Sequence, residues 1–220
     1  MILLLWGFAG WHYSDPMGIT PQQFKQMQDR LKGPKRIPAA VFERPVSAPA
    51  TVALRTTILG VDPSLRGTGY GVIRIAKPVP ETLVHGMIAC PANWPHSRCL
   101  VQIVTRLRQV LDEHSPEVCV IEGLFFAQNL QTALIMGEAR GAAMATIAER
   151  GIPIFEIAPR KVKQAIVGYG AAQKLAVAKM VQRMLRLAEP PGPDAADALA
   201  LALTHAQESG RYGLTTPRKI

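Results

Sequence analysis

The sequence predicts an α/β domain: a mixed five-stranded sheet, begun by an antiparallel meander and continued by parallel strands, flanked by helices. Three observations carry that expectation. Thr57-Ile58-Leu59-Gly60-Val61 is an unbroken run of β-branched and apolar residues, as in a strand buried on both faces. Turn-rich stretches then separate it from two further strand-like segments, which fits hairpin connections. After them, a helical pattern is followed by a second fully apolar strand, and strand–helix–strand order makes the two strands parallel.

In order, the first strand is expected over Ile58–Asp62. Pro63, Gly67 and Gly69 mark the turn, and Tyr70–Ile75 returns. A third strand is expected over roughly Leu83–Cys90. From Arg98 to Leu111, apolar residues at 100, 101, 104, 107, 110 and 111 keep helical spacing, and Ser115-Pro116 ends the pattern. Val118-Cys119-Val120-Ile121-Glu122 repeats the design of the first strand. Asn129–Arg150 reads as a long helix whose Gly137, Ala139, Gly141, Ala142, Ala143 and Ala145 make one face nearly flat, suited to packing on the sheet or to a subunit contact. Ile152–Ile157 is the fifth strand. Short helices are expected from Pro159 to Ile166 and from Ala172 to Leu187, joined by a glycine-rich loop, Val167-Gly168-Tyr169-Gly170. Asp194 to His205 is an Ala- and Leu-rich helix after Pro193, a residue suited to a first turn.

Residues 1–56 differ. The apolar run Ile2–Trp11 is too short to span a bilayer and lacks the basic start of a secretory signal. Prolines at 16, 21, 34, 38, 45 and 49 oppose regular structure. The segment is expected to be a largely disordered extension or a start-site artefact, followed by a domain over 57–208 and a tail over 209–220. A formal charge of +9 and a pI near 9.8 favour an anionic partner, nucleic acid first. Three scattered cysteines, with no C-x-x-C, suggest neither disulfides nor zinc and fit a reducing, cytoplasmic setting.

The chemistry is expected at four carboxylates. Asp62 and Glu122 end two buried strands that should lie side by side at the carboxyl edge of the sheet, where open α/β sheets place their sites. Alone, Asp62 also reads as a turn starter before proline. Asp194 and Asp197 stand three apart, on one face of the last helix. Capping explains one of them, but two carboxylates on a buried helix repel unless a cation sits between them. An oxygen-only set selects hard divalent ions such as Mg²⁺ or Mn²⁺. Two such ions about 4 Å apart support in-line phosphodiester hydrolysis.

These motifs resemble the RuvC crossover-junction endonucleases, the bacterial Holliday-junction resolvases with a ribonuclease H-like fold. The resemblance runs through Ile58-Leu59-Gly60-Val61-Asp62-Pro63-Ser64 with Thr68-Gly69-Tyr70-Gly71, then Ile121-Glu122 with Phe125-Phe126. It continues through Ala139-Arg140-Gly141, Arg160-Lys161-Val162-Lys163-Gln164 and Asp194-Ala195-Ala196-Asp197-Ala198-Leu199-Ala200. It implies a structure-selective endonuclease that resolves four-way junctions by paired symmetric nicks in recombination and repair. By that resemblance Asp62, Glu122, Asp194 and Asp197 hold two Mg²⁺ ions per subunit, Asp62 bridging both. Phe125 stacks on an unpaired base near the junction. Lys163 and Lys174 hold DNA, and Arg160 widens the positive surface. A homodimer and branch-migration partners of the RuvA and RuvB type are implied as well. His205, eight residues beyond Asp197, is expected to be structural.

Three alternatives remain open at this stage. A ribonuclease H or YqgF-like nuclease would cut an RNA–DNA hybrid but not a junction. A phosphate binder of the actin and sugar-kinase type would bind ATP. A junction-binding protein without catalysis would leave the buried carboxylates uncompensated.

Overall fold

The structure, a computed structural model, describes residues 56–123, 130–209 and 218–220. They fall in one compact unit; the chain's other unit, Met1–Pro49, lies outside the described residues, as do residues 1–55 of the expected extension and the Phe125 loop. Along the chain run β1 (Thr57–Asp62), β2 (Gly67–Arg74), β3 (Glu81–Ala89), α1 (His96–His114), β4 (Val118–Glu122), α2 (Leu130–Ala148), β5 (Ile154–Ile157), α3 (Pro159–Val167), α4 (Lys174–Leu185), α5 (Pro193–Ser209) and β6 (Arg218–Lys219).

The sheet order is β3-β2-β1-β4-β5-β6. β1, β2 and β3 pair antiparallel, whereas β1, β4 and β5 pair parallel. The five expected strands are therefore present in the expected senses. The sixth is a two-residue addition: Arg218 and Lys219 pair antiparallel with Glu156 and Phe155. It falls inside the stretch read as a tail.

Strand alternation sorts the core into two layers. Leu59, Val61, Val72 and Ile121 face α1 and α2, and pack with Ile103, Leu107 and Ala143. Ile58, Ile73, Val120 and Ile157 face the other way, onto α3, α4 and α5, and pack with Val162, Val181, Leu199 and Leu203. With both faces covered, the central strands have no solvent side, and their sequences show no polar alternation.

Helix α5 lies directly on the backbone of β1 and β2. A Cβ placed on Gly60 would sit 1.9 Å from the Ala198 carbonyl oxygen, and one on Gly71 2.6 Å from Leu199 Cδ2. At Gly60 the overlap is with the backbone of α5, so a side chain there would force the helix off the sheet.

Boundaries shift by a few residues where local signals are weak. α1 begins at His96 rather than Arg98, after Pro95 as its cap. β2 begins three residues earlier than Tyr70, because Gly67 and Thr68 already pair with Ala89 and Ile88. No described helix is long and apolar enough to cross a membrane.

Candidate active site

The two strand-end carboxylates are aimed by register. Val61 lies opposite Ile121 in the parallel pair, so Asp62 and Glu122 are each one residue beyond it. Asp62 shares the parity of Ile58 and Gly60, and Glu122 that of Val120, so both lean toward the face that α5 covers. A one-residue slip of either strand would turn its carboxylate away.

The helix supplies the other two. Pro193 opens α5, and the Gly192 carbonyl accepts from the Ala196 N–H at 2.8 Å. Asp194 therefore lies in the first turn and Asp197 one turn on, on the same side. The backbone of Asp194 presses on β2: a Cβ on Gly69 would be 2.0 Å from the Asp194 carbonyl oxygen. Gly69 is also the residue paired with Asp62. Two elements more than 120 positions apart thus meet at one point of the sheet edge.

All four carboxylates line one cavity of about 320 Å³, together with Ser64, Lys163 and Lys174. The turn after Asp62 is fixed from within: the Thr68 hydroxyl donates to the Ser64 carbonyl at 2.6 Å and accepts from the Ser64 N–H at 3.2 Å. Arg66 ties the same turn to the start of α1 by donating to the carbonyls of Pro91 and Trp94.

The cavity is short of positive charge. Burial, then the Asp197 charge, pushes Asp62 up to about 6, against a hydrogen bond with Glu122 and the nearby Lys174. Burial, then the Asp62 charge, pushes Glu122 up to about 8. Both carboxyls are thus held toward the protonated form, and they hydrogen-bond to each other. Lys174 Nζ lies 2.9 Å from Asp197 Oδ2, and that bond raises the lysine's pKa. Among the described residues no three acidic, histidine or cysteine side chains are drawn in far enough to hold a metal ion as they stand. The donor chemistry nevertheless fits a hard divalent cation. Four carboxylates face two lysines in the described lining, and burial, then mutual repulsion, raises the pKa of Asp62 and of Glu122.

Of the other expected residues, Lys163 lies in the lining and Lys174 bridges to it from α4. Arg160 is exposed on α3 and outside that lining; its side chain lies where a Cβ on Gly170 would fall. Phe125 lies outside the described residues. His205 is buried in α5 against Phe155, with ring centres 5.0 Å apart, and burial lowers its pKa. It is a packing residue, as expected. The amino-acid sequence alone assigns no role to Arg140 or Glu156. Arg140 is buried on α2, and its guanidinium reaches both Glu156 and the backbone of Glu122. An arginine inside a stretch of small residues was the available signal.

A family profile described as "Crossover junction endodeoxyribonuclease RuvC" matches residues 58–205. A crossover junction endodeoxyribonuclease RuvC of Protochlamydia amoebophila is 46% identical over 151 residues, 68% of this chain and 90% of that protein. The protein of the same name from Thermotoga maritima is 44% identical over 153 residues, 69% of this chain and 91% of its own. Among solved structures, T. thermophilus RuvC in complex with Holliday junction substrate is similar, with a TM-score of 0.67 and 32% identity. That match covers 75% of this chain and 99% of the other.

Proposed function

The chain belongs to the RuvC family of crossover junction endodeoxyribonucleases, and from that membership we propose how its own residues cut DNA. The protein is a hydrolase, a metal-dependent endonuclease that resolves Holliday junctions by paired nicks in recombination and repair. The observation that carries the assignment of roles is the convergence of Asp62, Glu122, Asp194 and Asp197 on one cavity.

These four side chains would hold two divalent ions, Mg²⁺ or Mn²⁺. When bound, such ions lower the pKa of a water and neutralise charge on the phosphate. The chain supplies everything else. Asp62, at the centre of the set, faces both Glu122 on the neighbouring strand and Asp197 on α5. Asp194 completes the oxygen shell from the first turn. Burial and mutual repulsion raise the pKa of Asp62 and Glu122, and a divalent ion held here would supply the positive charge that favours their ionised forms.

Lys163 and Lys174 flank the carboxylates and attract the phosphate backbone. Lys174 also pairs with Asp197. Arg160 extends the positive surface along α3. Phe125 stacks on an unpaired base beside the cut.

A four-way junction is two-fold symmetric, and matched nicks need two sites, which a C₂ homodimer provides. The outward face of α2 suits the contact. Leu130 and Leu134 are 76% and 61% exposed there, and Cβ atoms on Gly137 and Gly141 would meet nothing within 4 Å. Junction-binding and branch-migration proteins of the RuvA and RuvB type complete the partner set, and the cytoplasm is the compartment.

The test is a labelled synthetic four-way junction incubated with the purified protein, with and without Mg²⁺. Wild type nicks it symmetrically in Mg²⁺, whereas Asp62→Asn binds the junction without nicking. Undiminished nicking by that variant rules out the assignment, and preference for an RNA–DNA hybrid points to a ribonuclease H.

A further inference from the structure

Glu122 is the last residue of β4, where the strand ladder stops constraining the backbone. Its N-terminal side is fixed by pairing with β5, in which Ile121 lies opposite Glu156 and Glu122 opposite Ile157. On its other side, the Gly123 N–H donates to the Ile157 carbonyl at 2.9 Å. The carbonyl of Glu122 itself is taken by Arg140. Nη1 of Arg140 donates to that carbonyl, and Nη2 donates to Oε2 of Glu156. The two arms of one planar guanidinium therefore join the peptide of Glu122 to a side chain of the neighbouring strand. Glu156 packs closely against the same turn: a Cβ on Gly123 would be 3.2 Å from its Cγ.

This arrangement is costly for a residue with a purely space-filling role. The Arg140 side chain is 9% exposed, and burial lowers its pKa while the Glu156 charge opposes the shift. The nearby Ala139 and Ala143 are small and fully buried, and an apolar side chain of similar length would fill the space without a desolvated charge. What an apolar residue could not do is grip the Glu122 carbonyl. That grip fixes the peptide plane from which the Glu122 side chain springs.

We propose that Arg140 is a positioning residue for DNA cleavage: its fork between the Glu122 carbonyl and Glu156 locks the tip of β4 so that the Glu122 carboxyl points into the cavity. The proposal rests on the reading of Glu122 as a cation ligand. Arg140 is not among the residues that line the cavity. It acts through Glu122, as groups behind metal ligands do when they set ligand orientation.

The test compares Arg140→Lys, Arg140→Met and Glu156→Gln with wild type, with Glu122→Gln as a control. Three quantities are read: junction affinity without divalent ions, the single-turnover cleavage rate, and the rise in Tm on adding Mn²⁺. Lysine keeps the charge but has no fork to span both acceptors. Arg140→Lys and Arg140→Met are expected to bind the junction within about twofold of wild type and to cleave it roughly 10- to 100-fold more slowly, with a smaller Mn²⁺-induced rise in Tm. Glu156→Gln, which still offers an amide oxygen, is expected to lose less. Should Arg140→Met fail to fold, Arg140→Lys and Glu156→Gln carry the comparison. The proposal is overturned if Arg140→Lys cleaves within about threefold of wild type while Glu122→Gln is inactive. It is equally overturned if the loss lies wholly in junction affinity. Normal cleavage by Glu122→Gln overturns the underlying reading of the site, and the proposal with it.

Discussion

Replacing Gly69 by alanine should disable cleavage by moving the helix that carries half of the site. Gly69 pairs with Asp62 across the β1–β2 hairpin. An added Cβ would lie 2.0 Å from the Asp194 carbonyl oxygen and 2.5 Å from its carbonyl carbon. Both are backbone atoms, so no rotamer change relieves the overlap. Against an ordinary contact of 3.4 Å the shortfall is roughly 1.4 Å, and the start of α5 must retreat by most of that. Asp194 and Asp197 move with it, away from Asp62 and Glu122. A misplacement of about 1 Å at a reacting centre costs on the order of 10²-fold in rate. Overpacking costs about 1–3 kcal/mol, partly offset by the lower chain entropy of alanine in the unfolded state. That corresponds to a Tm lower by roughly 2–12 °C for a domain of this size. The assay is single-turnover cleavage of a labelled four-way junction at saturating Mg²⁺, with a thermal melt and a metal-free binding titration alongside. The expected result is a rate reduced by about two orders of magnitude with junction affinity retained. Gly69→Ala cleaving within about threefold of wild type would refute the reasoning, because the contact between α5 and β2 would then not set the site.

The carboxylate pair predicts a pH effect on stability without metal. Asp62 at about 6 and Glu122 at about 8 both lie above their ordinary values, so the folded chain binds extra protons. The stabilisation is full below about pH 4 and is lost as pH rises through 6 and then 8. In a chelator, Tm should therefore fall across that window, and Glu122→Gln should flatten the upper part; a Tm that rises there in wild type would contradict the sign. Lys163→Ala and Lys174→Ala should each weaken junction binding uniformly across sequences and reduce the slope of log affinity against log salt by about 1, read by titration at several salt concentrations.

The sheet and the acidic set were legible because each left a local pattern. Ile58–Val61 and Val118–Ile121 are apolar without alternation, which marks strands covered on both faces, and each ends in a carboxylate that burial alone does not explain. Asp194 and Asp197 stood out because the helix around them is Ala and Leu. The features that escaped depend on partners far away in the chain. Arg218 and Lys219 form β6 only because Glu156 and Phe155 offer a free edge. Arg140 stands among small residues, the one local hint of close packing, but its partners, Glu156 and the carbonyl of Glu122, lie elsewhere in the chain. The Lys174–Asp197 bond joins α4 to α5, and an exposed lysine at a helix start gives no local hint of it. Spacing along the chain locates acidic groups, but it does not reveal which cations already sit beside them.

The central claim is that four carboxylates from two strands and one helix form a single cation site. Crystals soaked in Mn²⁺ test it most directly through the anomalous signal of the metal. The account predicts density enclosed by Asp62, Glu122, Asp194 and Asp197, with Lys174 released from Asp197, and no such density in Asp62→Asn. Manganese bound elsewhere, with these four side chains unchanged, would contradict it.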